Sequence, residues 1–533
     1  MKILMTYPNL PLMYAPALSV GLFNAVCKQE GVEFKLFETT GYAEEYKNRH
    51  ILMFQSGANR GVSQSHRDED YFVIKDPEDI IPDFVKCVTE YNPDLILIHF
   101  QEDVVQMGLD MLQSIEHLNI PHIAGGVYAL SVPELLIKEP LIKMICRYEG
   151  ENVVRGAINA FRNNQPFTSI DGVWWKDGER VRKNKPCELV DITKVIPDWS
   201  VYEKKRFQRP IGGHHFDVSI PMETYRGCPY QCTYCNSPGT RDISKILKTG
   251  NYMRRKPADI IEKELLWYID QGYDLQHVMF IDDSFLARPK KEIFEFCKMW
   301  SKYKIPFWFN TRIENCEPDI LEALKEAGVH RMTFGIESGN EEYRTKILKR
   351  PVKNSVYYKY FDIINESNIP YSLNVIIAMP YETREMIMDT ARMVNRARGY
   401  DGLTLAIWQP YRGTELRTIA EEAGFVKKDD MTAGTGFLDL TGNFSIKMPK
   451  PYIQPEEATN LVRTFALYAY YPESQWHLVK QAETNVDVYN KLMADYRSKF
   501  FPGNYQIGGK TRKTCLKHDA SSTYQWQEID KVA

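Results

Sequence analysis

The chain has 533 residues, 44% of them hydrophobic and 26% charged, and its formal net charge is −3. This length is more than one hydrophobic core usually serves, and the composition is that of an ordinary globular protein. The net charge disfavours a general nucleic-acid-binding protein, because such a protein needs a basic face to displace counterions. Neither a signal peptide nor a run of the ~20 apolar residues that span a bilayer is evident, so we expect a cytoplasmic protein without a membrane span.

Residues 1–165 alternate predicted strands with predicted helices. The run 94–100 (DLILIHF) is apolar almost throughout, as expected of a strand buried on both faces of a parallel sheet. Further strands are predicted at residues 2–7, 33–37 and 142–147. This alternation is typical of the α/β class, and we predict a doubly wound, Rossmann-like sheet.

A second series of strands and helices is predicted for residues 216–425, after a connector at residues 166–215. The six predicted strands of this series are residues 219–225, 278–281, 307–309, 332–336, 373–378 and 403–408. Six βα units predict a partial (β/α)6 barrel, whose functional residues belong at the C-terminal ends of the strands. For residues 426–533 we predict a mostly helical C-terminal region.

Polar side chains follow three of these predicted strands. They are Asp282 and Asp283 after the second strand, Asn310 after the third, and Glu337 with Ser338 after the fourth. A strand with a purely structural role does not need acids directly behind it. The C-terminal edge of this sheet is therefore the expected position of a functional site.

Three of the ten cysteines fall within eight residues. Cys228, Cys232 and Cys235 have the spacing C-x3-C-x2-C and directly follow a predicted strand. Structural zinc usually takes paired C-x2-C units and four ligands, and a fourth ligand is not obvious here. Three thiolates suit a [4Fe–4S] cluster, because they hold three irons and leave the fourth open for chemistry. A zinc site or unrelated cysteines are the alternatives.

The stretch 226–235 (RGCPYQCTYC) resembles the signature loop of radical S-adenosylmethionine (SAM) enzymes. The motifs at residues 280–285, 334–339, 378–383 and 409–414 resemble successive strand-end motifs of that family, in the family's order. The resemblance covers residues 216–425. It implies that the open iron binds SAM, and that an electron from the reduced cluster releases methionine and a 5′-deoxyadenosyl radical.

The resemblance also implies which residues contact SAM. Tyr234 is the aromatic residue before the last cysteine of the motif, and Asp282 or Asp283 would meet the cofactor's ammonium group. The carboxylate or the ribose hydroxyls would be held by Asn310, Glu337 and Ser338. Taken singly, each could instead be a solvated loop residue. No substrate-directed acid or base can be assigned, and the electron donor would be a protein such as flavodoxin or ferredoxin.

The N-terminal sheet carries glycine-rich turns at the ends of successive strands. By residue chemistry alone, Gly125-Gly126 with Tyr128, and Glu149-Gly150, could be tight turns of any doubly wound domain. Their order resembles the cobalamin-binding domain that precedes the radical domain in one large subgroup. The subgroup's D-x-H-x-x-G loop has no counterpart in residues 7–13, so cobalamin would be bound without histidine on cobalt. His99 is expected to be a packed residue.

The resemblance as a whole implies a cobalamin-dependent radical methyltransferase acting on an unactivated carbon. The main alternative is a non-methylating radical reaction in the same architecture, such as oxidative ring closure. A non-catalytic cobalamin or redox sensor is the alternative of another class. The substrate could be a small molecule, a lipid or a peptide.

Overall fold

A computed structural model describes residues 1–11, 13–43, 73–211, 214–428 and 446–500. Two predominantly parallel sheets dominate the fold, one of seven strands and one of six. Helices alternate with most of the parallel strands, which is the α/β pattern that the sequence predicts. Within the described residues, no helix is both long and apolar enough to cross a membrane.

The seven-stranded sheet has the order β2-β1-β3-β4-β5-β6-β7. Strands β1 to β5 are parallel, and their order is that of a doubly wound, flavodoxin-like sheet. The strands are β1 (Lys2–Tyr7), β2 (Glu33–Glu38), β3 (Leu95–His99), β4 (His122–Gly125), β5 (Met144–Cys146), β6 (Val173–Asp177) and β7 (Arg180–Lys183). The helices are α1 (Leu18–Gln29), α2 (Ile80–Tyr91), α3 (Val105–Ser114), α4 (Val127–Ser131), α5 (Pro133–Leu136) and α6 (Gly150–Arg162).

Strands β6 and β7 differ from the sequence-based prediction, which placed residues 166–215 in a connector. Both run antiparallel and extend the N-terminal sheet beyond β5. Val173 and Trp174 of β6 are buried, so the strand covers apolar surface at the edge of the sheet. A short hairpin of this kind has no periodicity long enough to assign it to a particular sheet.

The six-stranded sheet is parallel throughout, and its strands lie in chain order. They are β10 (Ser219–Met222), β13 (His277–Phe280), β14 (Phe307–Thr311), β15 (Val329–Glu337), β16 (Tyr371–Ile377) and β17 (Gly402–Ile407). Two short hairpins, β8 (Arg209–Ile211) with β9 (His214–Phe216) and β11 (Tyr225–Arg226) with β12 (Arg254–Arg255), flank β10. Within the described residues β10 and β17 do not pair with each other, so the sheet is open.

Helices alternate with the strands of this sheet and continue beyond it. They are α7 (Asn236–Leu247), α8 (Ala258–Asp270), α9 (Lys290–Trp300), α10 (Pro318–Ala327), α11 (Glu341–Lys346), α12 (Asn354–Ser367), α13 (Arg384–Ala397), α14 (Glu415–Glu422), α15 (Pro455–Tyr470), α16 (Trp476–Ala482) and α17 (Val486–Phe500). The last three pack together, and α15 also lies against α13. Its aromatic residues Phe465 and Tyr468 are buried, which makes this stripe part of the core.

Trp199 lies in the segment between the two large sheets and connects a helix of each. Its side chain is fully buried, and its Nε1 donates a hydrogen bond of 3.1 Å to the hydroxyl of Tyr268 on α8. On its other side the ring lies so close to Gly21 of α1 that a Cβ there would approach within 2.8 Å. Trp199 therefore fixes the first helix of one sheet against a helix of the other.

Candidate active site

The three cysteines lie on the loop between β11 and the start of α7. Gly227 begins this loop with a φ of +105°, and a Cβ there would come within 2.9 Å of the carbonyl oxygen of Tyr252. Only glycine fits such a position without strain. At the other end Cys235 is the N-cap of α7, and its Sγ accepts a hydrogen bond of 3.4 Å from the amide of Ser237. The loop is therefore held at both ends.

The donor atoms of this loop suit an iron–sulfur cluster. Cys228, Cys232 and Cys235 are free and partly exposed. Burial raises the pKa of Cys228 to about 11 and that of Cys235 to about 12, so a metal must supply the positive charge that keeps them as thiolates. Among the described residues no three His, Cys, Asp or Glu side chains surround a single metal ion. A cubane cluster instead binds each thiolate through a different iron.

Asp282 is buried and already has a full set of partners. Its carboxylate accepts hydrogen bonds from the backbone amides of Thr224 at 2.7 Å and Tyr225 at 3.0 Å. Arg288 adds an ion pair of 2.7 Å. These contacts tie the end of β10 to the end of β13, which gives Asp282 a structural role and leaves it little capacity for the ammonium group of SAM.

Asp283 has different surroundings. Its side chain reaches solvent, and its one hydrogen bond in the structure is from the hydroxyl of Ser237 at 3.2 Å. Partial desolvation raises the pKa of the Asp283 carboxyl group. The negative charge of this carboxylate in turn raises the pKa of Cys228 and Cys235. Asp283 therefore faces the cysteine loop with free acceptor capacity.

Glu337 closes the opposite side of the site. It has a φ of +62°, which costs a residue other than glycine about 1–3 kcal/mol. Its carboxylate is 3.3 Å from both the hydroxyl of Tyr234 and Nη1 of Arg350. Burial raises the pKa of Glu337, although Arg350 works in the other direction. The aromatic residue of the cysteine motif is thus bonded to the end of β15, and Arg350 is a site residue that the sequence analysis missed.

Ser338 and Asn310 offer unused polar groups at the same edge. Ser338 is fully buried, and its hydroxyl has no hydrogen-bond partner in the structure. Asn310 ends β14, and its backbone carbonyl accepts a hydrogen bond of 2.9 Å from Phe285. No hydrogen bond of its side-chain amide is found to any described residue. A buried hydroxyl without a partner is costly, and a ligand would satisfy it.

A cavity of about 320 Å³ opens at the C-terminal end of the seven-stranded sheet. Apolar side chains of α1, β1, β3, β4 and α6 form much of its wall, and Gly125, Gly126 and Gly150 also line it. Glu223, which follows β10, and Arg226 of β11 also line it. The volume and the mainly apolar lining suit part of a large organic cofactor.

His99 lies in the wall of this cavity as a packed residue. Its ring stacks on that of Tyr7, with 4.6 Å between the centroids and 19° between the planes. A Cβ on Gly126 would approach the imidazole within 2.8 Å. Burial lowers the pKa of His99 to about 4, so the ring is neutral at pH 7. The side-chain amide of Asn9, in the turn after β1, donates a hydrogen bond of 3.1 Å to the hydroxyl of Thr40.

Tyr128 and Glu149, which the sequence predicts as cobalamin contacts, do not line this cavity. Tyr128 is buried and packs in an apolar cluster with Phe100. Glu149 stands next to the cavity, but Arg254 and Arg226 bind its carboxylate. Burial works to raise the pKa of Glu149, and the two guanidinium groups outweigh it and lower the pKa. Because Arg226 lies within the cysteine motif, the sequence could have indicated a role for it at the site.

Comparison with known proteins agrees with this geometry. Residues 222–394 match the family model of the Radical SAM superfamily. Cytidylyl-2-hydroxyethylphosphonate methyltransferase of Streptomyces wedmorensis is 22% identical over 511 residues, which cover 86% of this chain and 88% of that protein. The anaerobic magnesium-protoporphyrin IX monomethyl ester cyclase of Synechocystis is 24% identical over 363 residues, 65% of this chain and 68% of the cyclase.

A solved structure shares the fold over nearly the whole chain. It is the radical SAM methyltransferase TsrM of Kitasatospora setae with cobalamin and a [4Fe–4S] cluster bound, at a TM-score of 0.60 and 13% identity. The match covers 93% of this chain and 99% of TsrM. The family match over residues 222–394 includes the cysteine loop and the strand-end residues around it.

Proposed function

We propose that this protein is a cobalamin-dependent radical SAM methyltransferase that methylates an unactivated carbon. One observation carries the proposal. The glycine-lined cavity of the N-terminal sheet and the cysteine loop adjoin, because Arg226, two residues before Cys228, lines that cavity. In such a site the cluster and SAM would supply a 5′-deoxyadenosyl radical, and cobalamin would supply the methyl group.

The proposed division of the chain follows from this assignment. Residues 1–165 would form the Rossmann-like cobalamin-binding domain, to which β6 and β7 add an edge. Residues 216–425 would form a partial (β/α)6 barrel, supported by the open six-stranded sheet in chain order. Residues 166–215 would connect the two, and residues 426–500 would add the C-terminal helices. Residues 501–533 of the predicted C-terminal region lie outside the described part of the chain.

Different residues would hold the parts of SAM. Asp283 would accept hydrogen bonds from the ammonium group, because its carboxylate has free capacity next to the cysteines. Ser338, whose buried hydroxyl has no partner among the described residues, and Asn310 would bond the carboxylate or the ribose hydroxyls. Glu337 and Tyr234 would act as one bonded pair, kept in place by Arg350.

The cobalamin contacts would come from the C-terminal ends of β4 and β5. Gly125, Gly126 and Gly150 would let the cofactor approach the backbone closely. We expect Glu149 to act on the site only indirectly, through Arg226 and Arg254. The substrate would be a small molecule, a lipid or a peptide, and a flavodoxin or ferredoxin would donate the electron.

The test begins with anaerobic reconstitution of the full chain with iron, sulfide and cobalamin. We expect about four irons and one corrinoid per chain, and loss of the cluster's visible absorbance in Cys228→Ala, Cys232→Ala and Cys235→Ala. Cys297→Ala is the control, because this buried cysteine lies on α9, away from the loop. Zinc in place of iron, or no bound corrinoid, would contradict the proposal.

Oxidative ring closure is the second candidate, because the cyclase of Synechocystis is similar over about two thirds of both chains. SAM with a deuterated methyl group distinguishes the two. A methyltransferase gives a product that carries the label, whereas a cyclase gives an oxidised product without it. A cobalamin or redox sensor would release no 5′-deoxyadenosine at all. Candidate substrates can be identified by comparing the masses of metabolites in cells with and without the gene.

A further inference from the structure

Arg226 binds three carboxylates that come from both sheets. Its Nε and Nη2 each donate a hydrogen bond of 2.9 Å to Glu223, which follows β10. Its Nη1 donates one of 2.9 Å to Glu151 at the start of α6 and lies 3.2 Å from Glu149. Glu151 is almost fully buried, so these bonds form away from bulk water. Buried, charge-assisted contacts of this kind are much stronger than ion pairs on a surface.

The same side chains form one wall of the 320 Å³ cavity. Glu151, Glu223 and Arg226 all line it, opposite the apolar residues of β1 and β3. A group that fills the cavity would therefore touch this ionic cluster directly. Because the members of the cluster are bonded to one another, a ligand that contacts one of them would fix or shift the others with it.

Arg226 is also rigidly joined to the cysteine loop. Gly227 and Cys228 follow it in the chain, and the segment lies so close to Tyr252 that a Cβ on Gly227 would come within 2.9 Å of the Tyr252 carbonyl oxygen. Tyr252 is bonded in turn to Ser237 at 2.8 Å, in the first turn of α7. A displacement of Arg226 is therefore transmitted to Cys228 and is not lost in a flexible linker.

We propose that Arg226 is a positioning residue that couples the two cofactor sites, so that filling the cavity favours the arrangement of the cysteine loop that binds SAM. The inference rests on the proposed function for the identity of the ligand in the cavity. Because coupling free energies are reciprocal, SAM must strengthen cobalamin binding by the same factor as cobalamin strengthens SAM binding.

The test measures the affinity of the cluster-loaded full chain for SAM, with and without bound cobalamin, by isothermal titration calorimetry. In the wild type we expect cobalamin to tighten SAM binding at least about fivefold. In Arg226→Met the factor should fall close to one, and because the factor is a ratio of two affinities for SAM, a general loss of affinity does not change it. Arg155→Met is the matched control, because Arg155 also bridges two elements, by its ion pair to Glu30, but lies away from the cavity.

Glu151→Gln provides a second variant in case Arg226→Met does not fold. It weakens the contact between the sheets and leaves the paired bonds of Arg226 to Glu223 intact. The coupling factor should lie between those of the wild type and Arg226→Met, with Glu30→Gln as its control. A wild-type factor of one, or an unchanged factor in the variants, overturns the inference. A chain that binds no cobalamin contradicts the proposed function instead, so the two failures are distinguishable.

Discussion

Asp282 and Asp283 are neighbours in the chain but have opposite environments. The first is fully buried and bonded to Arg288 and to the backbone after β10. The second reaches solvent and has a single hydroxyl partner. Two adjacent carboxylates at a strand end can therefore divide the work, with one holding the loop and the other free for a ligand.

This difference predicts opposite effects of the same substitution. Asp283→Asn should weaken SAM binding by about one to two decades, because a hydrogen bond to a charged group contributes about 1.5–3 kcal/mol. Its melting temperature should stay near the wild-type value. Asp282→Asn should instead lower the free energy of unfolding by about 3 kcal/mol, since Arg288 then remains buried without its partner. Calorimetric titration and thermal denaturation measure the two effects, and the reverse pattern would show that the residues have exchanged roles.

The turn after β16 contains a fully buried carboxyl group, that of Glu382. Ala378 and Tyr381 have positive φ values, and the carboxyl of Glu382 is buried beneath this turn. One of its oxygens accepts a hydrogen bond of 3.2 Å from Met379, and the other has no partner in the structure. Burial raises the pKa of Glu382 to about 8, so the group is protonated at neutral pH.

Glu382 should therefore make the fold less stable as the pH rises. The unfolded chain loses this proton near the ordinary pKa of 4.5, whereas the folded chain keeps it up to about pH 8. The stability contributed by the neutral acid is full below pH 4.5 and is lost as the pH rises toward 8. Between pH 6 and pH 8 the loss is about 2 kcal/mol.

Glu382→Gln should remove this pH dependence, because glutamine is a neutral isostere. In thermal denaturation the variant should be more stable than the wild type at pH 8, and its advantage should shrink toward pH 5. Glu342→Gln is the control, since Glu342 is exposed and paired with Lys346 on the surface of α11. A parallel pH profile of Glu382→Gln and the wild type would mean that the carboxyl is not held neutral.

At the scale of the molecule, the C-terminal ends of the two sheets are joined at several places. Besides the contacts of Arg226, the guanidinium of Arg412 after β17 forms an ion pair of 2.7 Å with Glu102 after β3. The hydroxyl of Tyr411 donates a hydrogen bond of 2.9 Å to Asp103 in the same turn. Loops that follow strands of both sheets therefore meet, which brings the cavity and the cysteine loop to one interior site.

This assembly predicts how cobalt would be coordinated. The imidazole of His99 stacks on Tyr7 and lies against Gly126, and the side-chain amide of Asn9 is bonded to Thr40, so we expect neither side chain to bind cobalt. The electron paramagnetic resonance spectrum of bound cob(II)alamin should lack the hyperfine splitting of an axial nitrogen. His99→Ala should leave that spectrum unchanged. A nitrogen splitting in the wild type that disappears in His99→Ala would show that His99 binds cobalt after all.

Local patterns in the sequence were enough to predict much of this protein. Continuous apolar runs predicted β3 and the strands of the second sheet, because a strand buried on both faces leaves no alternation to misread. The spacing of Cys228, Cys232 and Cys235 was enough to predict an iron–sulfur cluster, with zinc as the alternative. The helix Pro318–Ala327 also has boundaries that are visible in the sequence, since proline begins it and Gly328 ends it.

Contacts between distant segments could be decided only by the tertiary structure. The sequence could not divide the roles of Asp282 and Asp283, because two partners of Asp282, the backbone amides of Thr224 and Tyr225, lie nearly sixty residues away after β10. It could not show that Glu149 is held by Arg254, 105 residues along the chain. Nor could it assign β6 and β7 to the first sheet. The spacing of residues in the sequence determines which functional groups are available. What each group can still bind depends on its burial and its partners, because these arise only when remote elements pack together.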